Sequence, residues 1–226
     1  MPSANTYYQD PRPVRRKRRR RRRRSVPVLL TLIVLIAGGI AFLRRSAAPE
    51  AGGIPAPDYV REDFLTVNPY SRPGDELKTI RGVVIHYVGN PGTSAQANRN
   101  YFESLKDGAD GTYASSHFVV GLEGEVIQCI PLTEVAYASN ERNADTVSIE
   151  VCHPDETGEF SPVTYDRAVE LTAWLCVQFK LDPETDVIRH YDVTGKECPR
   201  YYVEHPEAWD AFRADVSAAA RIGEAQ

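Results

Sequence analysis

Four cysteines in 226 residues are too few for a small fold stapled by disulfides. Neither C-x-x-C nor H-E-x-x-H occurs, so a metal site in this chain must be assembled from residues far apart in sequence. Glycine and proline, at 15 and 16, are far below collagen-like usage, and 42% hydrophobic residues exclude wholesale disorder. There is no internal repeat. Acid is almost missing from residues 1–45, where 13 Lys+Arg face one Asp, net +12. From residue 46 onward 30 acids face 14 Lys+Arg, net -16. The overall charge of -4 therefore hides two chemically different segments, which suggests one folded domain with attachments.

What the first segment does contain is a ten-residue basic run at 15–24, followed by eighteen uncharged residues at 26–43, VPVLLTLIVLIAGGIAFL, and then Arg44 and Arg45. As a helix the apolar stretch spans about 27 Å, close to the thickness of a hydrocarbon core. Pro27 falls in the first turn, where its missing N–H costs little. The sequence thus predicts a basic cytoplasmic tail at 1–24 and one transmembrane helix at 25–43. The basic excess before the helix places the N-terminus inside the cell and the rest outside. A cleaved signal peptide is the nearest alternative, but arginines directly after the apolar run are poor flanks for cleavage. Set against an apolar span, the arginine run reads as a topology determinant and an anionic-lipid contact, and no nucleic-acid partner is expected.

Residues 44–58 form the linker; within them SAAPEAGGIPAPD is rich in Ala, Gly and Pro, a tether of on the order of 43 Å when stretched. The folded domain is placed at 59–221, with 222–226 a short tail. Residues 79–88 (TIRGVVIHYV) read as a buried central strand. A helix is expected over 94–105, with Ser94 as its cap. Strands over 116–120 and 125–130 flank the hairpin signal GLEG. Another strand covers 146–151, a helix 165–181, a short strand 186–189 and a terminal helix 207–221. Strands alternating with helices, plus one hairpin, indicate an α/β domain: a mixed central sheet flanked by helices.

Five histidines are present. His86, near the end of the most apolar strand, is on its own as well read as a hydrogen-bonded core residue. His190 ends a short strand and opens HYDVTGKECP, so a Thr-Gly turn could fold Cys198 back toward it. Two histidines and a cysteine would leave one tetrahedral zinc position open, the arrangement of a catalytic rather than a structural zinc. Lys196, two residues before Cys198, points the same way if the segment is extended; it is either a solvated loop lysine or an oxyanion partner. In TVSIEV, Val147, Ile149 and Val151 take one face and Ser148, Glu150 and Cys152 the other. A carboxylate in mid-strand is costly unless paired or functional, and beside a metal it could serve as a general base.

Together, VVIHYVGNPGTS, SSHFVVGLEGEVIQCIPLTEVAY, VSIEVCHPDETGEF and IRHYDVTGKECPRYY resemble the zinc-dependent N-acetylmuramoyl-L-alanine amidases. That family includes phage and bacterial wall amidases and the animal peptidoglycan-recognition proteins; the likeness covers about 62–216 and is closest to autolysin and prophage-type members. It implies Zn2+ held by His86, His190 and Cys198, Lys196 beside them, and Glu150 as general base. It also implies peptidoglycan as partner and hydrolysis of the bond between N-acetylmuramic acid and L-alanine. Two positions depart from the pattern. Ser116 stands where some members carry a catalytic tyrosine, and Ala138 stands where relatives often carry a histidine. The alternative of the same fold is a non-catalytic muropeptide-binding module, which commonly lacks the cysteine. Together with the N-terminal helix, this predicts a single-pass cell-membrane protein with an extracytoplasmic amidase domain. Cys129 and Cys152 lie on different strands and could approach each other; Cys176 reads as core.

Overall fold

The structure is a computed structural model that describes residues 54–109 and 111–223. The described residues fall in one compact unit, within 47–226. The expected membrane helix at 25–43 lies outside them. Among the described residues no helix is long and apolar enough to cross a membrane.

Six strands form one sheet in the order β1-β4-β3-β5-β2-β6. They are β1 (Val60–Glu62), β2 (Val83–Tyr87), β3 (Phe118–Val120), β4 (Val126–Gln128), β5 (Val147–Val151) and β6 (Val187–Arg189). β3, β5, β2 and β6 run parallel; β4 is antiparallel to β3, and β1 is parallel to β4. The sheet is mixed, as expected, with the GLEG hairpin joining β3 to β4.

Alternation along each strand feeds two cores. Val83 and Ile85, Val147, Ile149 and Val151, and Phe118 and Val120 pack against the helices α2 (Pro162–Phe179) and α5 (Pro206–Gly223). The opposite phase, including Val88, Val119, Ile127 and Cys152, packs with Ala95 and Phe102 of α1 (Ala95–Ser104). At about 25 cal/mol per Å² of apolar surface, full burial of one such side chain contributes roughly 2 kcal/mol. His86 and Glu150 belong to the second phase, so the chemistry lies on the α1 face.

Capping sets the helix starts. Ser94 accepts a hydrogen bond from the Ala97 N–H, as expected of a cap. α2 begins three residues earlier than expected because Ser161 caps it and Pro162 takes the first position, where a proline loses no helical bond. Three short elements were not anticipated: β1, α3 (His190–Thr194) and α4 (Arg200–Glu204). All four cysteines are free and buried, so Cys129 and Cys152 share a core as thiols and not as a bridge.

Candidate active site

β2 and β5 are paired in register so that His86 stands opposite Glu150. Neighbours in a parallel pair share a face, and the result is a His86 Nδ1 to Glu150 Oε1 distance of 3.9 Å. β6 pairs with β2 on its other side, matching Ile85 with Arg189, so the next residue, His190, emerges beside His86. The two rings lie 4.6 Å apart. α3 then makes little more than one turn and ends at Gly195. A φ of +77° there needs a residue without Cβ strain, and it reverses the chain. The Tyr191 N–H donates to the Cys198 carbonyl at 2.9 Å, drawing Cys198 back against the start of α3. Arg189 anchors the turn by pairing with Asp192 at 2.7 Å and donating to the Tyr202 carbonyl.

One ligand atom from each of His86, His190 and Cys198 lies within 4.8 Å of the other two. Cys198 Sγ is 3.8 Å from His86 Nδ1. Tetrahedral zinc with ordinary bond lengths asks for about 3.6 Å between a sulfur and a nitrogen ligand. His190 is buried and neither ring nitrogen has a hydrogen-bond partner; Glu150 Oε2 has none either. Buried polar atoms are rarely left so, and a dication coordinated here would take one of the His190 ring nitrogens and leave the Glu150 oxygen free to meet a water. Burial, then the nearby His190 and Lys196, pushes the His86 imidazole well below its usual range; burial and Lys196 lower His190. Both rings are therefore neutral and able to donate lone pairs. Burial and Glu150 push the Cys198 thiol up to about 12. A coordinated cation would reverse that, since thiols bind metals as thiolates. The residues fit zinc.

Glu150, its side chain 18% exposed, is pushed up to about 8 by burial, with Lys196 pulling it down. Lys196 lies in the loop after Gly195 and lines the same groove. All five side chains singled out by sequence thus line one groove of about 580 Å³. The two departures are placed as well. Ser116 is buried, its hydroxyl donating to the Ser148 carbonyl at 2.9 Å, away from the groove. Ala138 lines the groove wall.

Sequence reasoning missed Ser139. Its hydroxyl lies 3.1 Å from His86 Nε2, both buried, which leaves Nδ1 facing Cys198 and Glu150. The Ser139 loop is itself held: Asn143 Oδ1 accepts from the N–H groups of Ala138 and Ser139 at 3.0 and 2.6 Å. The only hint in the sequence was the altered stretch AYASN.

The family model for N-acetylmuramoyl-L-alanine amidase matches residues 76–201, more than half of the chain and all five of these side chains. The chain belongs to the N-acetylmuramoyl-L-alanine amidase family. It is 33% identical over 175 residues to N-acetylmuramoyl-L-alanine amidase BlyA of Bacillus subtilis (strain 168), covering 69% of this chain and 46% of that one. It is 37% identical over 169 residues to a probable N-acetylmuramoyl-L-alanine amidase of Bacillus licheniformis, covering 70% and 47%. The chain thus spans about half the length of the curated relatives it matches. Among solved structures, the catalytic domain of XlyA is 27% identical with a TM-score of 0.58, covering 70% of this chain and 98% of that domain. The mixed sheet flanked by helices is the amidase fold.

Proposed function

We propose that the chain is a zinc-dependent hydrolase of the amide joining N-acetylmuramic acid to L-alanine in peptidoglycan. One observation carries the reading: two imidazoles and a thiol converge with a carboxylate 3.9 Å from one of them, in the lining of an open groove. A zinc ion held by His86, His190 and Cys198 would supply a Lewis acid that acidifies water and polarises a carbonyl oxygen. The chain's own residues do the rest. Glu150, which the charge of a bound dication would hold ionised, accepts the proton of the attacking water at its unpartnered carboxylate oxygen and delivers it to the departing amine of L-alanine. The Lys196 ammonium stabilises the charge that develops on the lactyl carbonyl oxygen. Ser139 keeps the His86 ring turned toward the other two ligands.

The purified full-length chain is expected to release new N-terminal alanine from peptidoglycan without new reducing sugar ends. New reducing ends would make it a glycosidase. Glu150→Gln keeps zinc and loses turnover by roughly 10²–10⁴-fold; a nearly full rate removes Glu150 from the reaction. The proposal extends to location. The basic run at 15–24 before the apolar stretch at 26–43 supports a membrane anchor with the hydrolase outside the cell. Protease added to intact cells then removes the domain, and protection of the domain would reverse the orientation.

A further inference from the structure

The groove that holds the ligand cluster is also lined by tyrosines that the proposed reaction does not use. Tyr101, from α1, and Tyr113 and Tyr137, from loops, all line it. Backbone bonds fix the wall. Ser115 N–H donates to the Tyr137 carbonyl at 3.0 Å, and the Tyr137 N–H donates to the Ser115 hydroxyl at 2.9 Å. These bonds bring the Tyr113 and Tyr137 rings to 5.9 Å, edge to face. Tyr70 backs Tyr113 at 5.2 Å, and its carbonyl accepts from the Ala114 N–H. The rings are nonetheless open to solvent, Tyr113 60% exposed and Tyr101 49%. Tyr113 and Tyr137 are in ring contact, and Tyr101 lines the same groove; exposed aromatic surface of this kind marks a binding surface.

Charge says what it binds. Among the described residues, Glu150 and Lys196 are the only carboxylate or amine side chains lining the groove besides its imidazoles, and both belong to the reacting group. The wall offers aromatic faces, with the exposed carboxamides Asn90 and Asn140 beside them. A stem peptide carries ionised carboxylates, which need counter-charges when desolvated. A neutral pyranose ring needs none: its C–H face lies on a flat ring while hydroxyl and acetamide groups meet amides. We propose that Tyr113, Tyr137 and Tyr101 form a stacking platform for the neutral glycan strand, so that the enzyme grips the polysaccharide next to the bond it cuts. The inference rests on the amidase reading and goes further by naming which part of the substrate this wall holds.

The test is equilibrium binding by the full-length chain in detergent, with glycan strands whose lactyl carboxyls are capped as neutral methylamides and sugar-free stem peptide as separate probes. Tyr113→Ala is expected to weaken strand binding roughly tenfold, the scale of one lost aromatic contact. Stem-peptide binding changes by less than about twofold, and Tyr113→Trp restores strand binding. Because Tyr113 is exposed, an unchanged melting temperature checks that folding is intact. Tyr113→Ala binding strands as tightly as the unaltered chain, or losing both probes equally, overturns the platform. Alanine release from peptidoglycan by the same preparation separates the two claims. A chain that releases alanine but binds no strands loses the platform alone. One that binds strands in the expected way and releases no alanine loses the amidase reading and keeps the platform.

Discussion

At the residue scale the site was legible where an unusual side chain broke a pattern. Glu150 stood out as a carboxylate within an apolar strand, and His86 as an imidazole among valines. In both cases period-2 alternation fixed the face before any coordinates were known. Cys198 and Lys196 were legible only through the turn that returns them. Ser139 was not legible, because a serine in a loop has no period to violate and its value lies in a contact 53 residues away in sequence. Its role gives a sharp expectation. Outer partners of metal-bound histidines commonly govern metal affinity by about 10–100-fold. Ser139→Ala should therefore weaken zinc binding by that factor in a competition titration with a chromogenic chelator, while the melting temperature of the metal-free protein barely moves. Ser139→Thr retains the hydroxyl and should recover most of the affinity. An alanine variant with unaltered zinc affinity would show that packing alone orients His86.

At the element scale, long periodic segments were read correctly, and so were the short strands β3, β4 and β6, which a hairpin signal or an apolar run marks, but other short elements were not. α1, α2 and α5 all exceed two turns and announce themselves by spacing, although Ser161 and Pro162 moved the start of α2 forward. β1, with 3 residues, and α3 and α4, with 5 each, are shorter than the window in which periodicity has meaning. β1 exists because a tertiary contact holds it, its pairing with β4, whereas α3 is capped locally by the Arg189–Asp192 pair and tied to the fold through the Arg189 bond to the Tyr202 carbonyl. The predicted strand over 79–88 contracts to Val83–Tyr87, and just before it Gly82 packs beneath the Asp186 carbonyl, where a Cβ would come to 2.8 Å. α3 is also where an element carries function, since its length sets the return of Cys198. Gly195 ends it with φ +77°, and no heavy atom stands within 4 Å of where a Cβ would go. Gly195→Ala therefore tests backbone strain without a clash, and should cost about 1 kcal/mol in chemical denaturation. If α3 and the ligand set are one mechanical unit, zinc affinity should fall with it. Lost stability with full zinc affinity would mean that the Tyr191–Cys198 bond alone places the thiol.

At the scale of the whole molecule, two electrostatic properties follow from where groups were buried and where charge was placed. His117 lies in the sheet interior, with Nδ1 accepting from the Ser148 N–H and Nε2 donating to the Glu134 carbonyl. That arrangement uses the neutral ring fully, and burial lowers its pKa to about 4. The unfolded chain therefore takes up this proton first as pH falls. Stability from His117 is complete above about 6.5 and drains away toward pH 4, by up to roughly 3 kcal/mol. Urea midpoints measured across that window should fall with acid, and less steeply for His117→Gln, whose amide does not titrate. The second property is the division of charge, net +12 before residue 46 and net -16 after it. A wall rich in anionic polymer repels the acidic unit, so bulk electrostatics works against its retention there. Repulsion of this kind is screened over about 10 Å at 0.1 M salt but reaches about 30 Å at 0.01 M. The unit 47–226, presented to purified walls carrying their anionic polymers, should thus sediment with them less at low salt than at physiological salt, and stripping those polymers should abolish the difference. Tight sedimentation at 0.01 M would mean that specific contacts in the groove outweigh the long-range field, and that the domain needs no anchor to stay near its substrate.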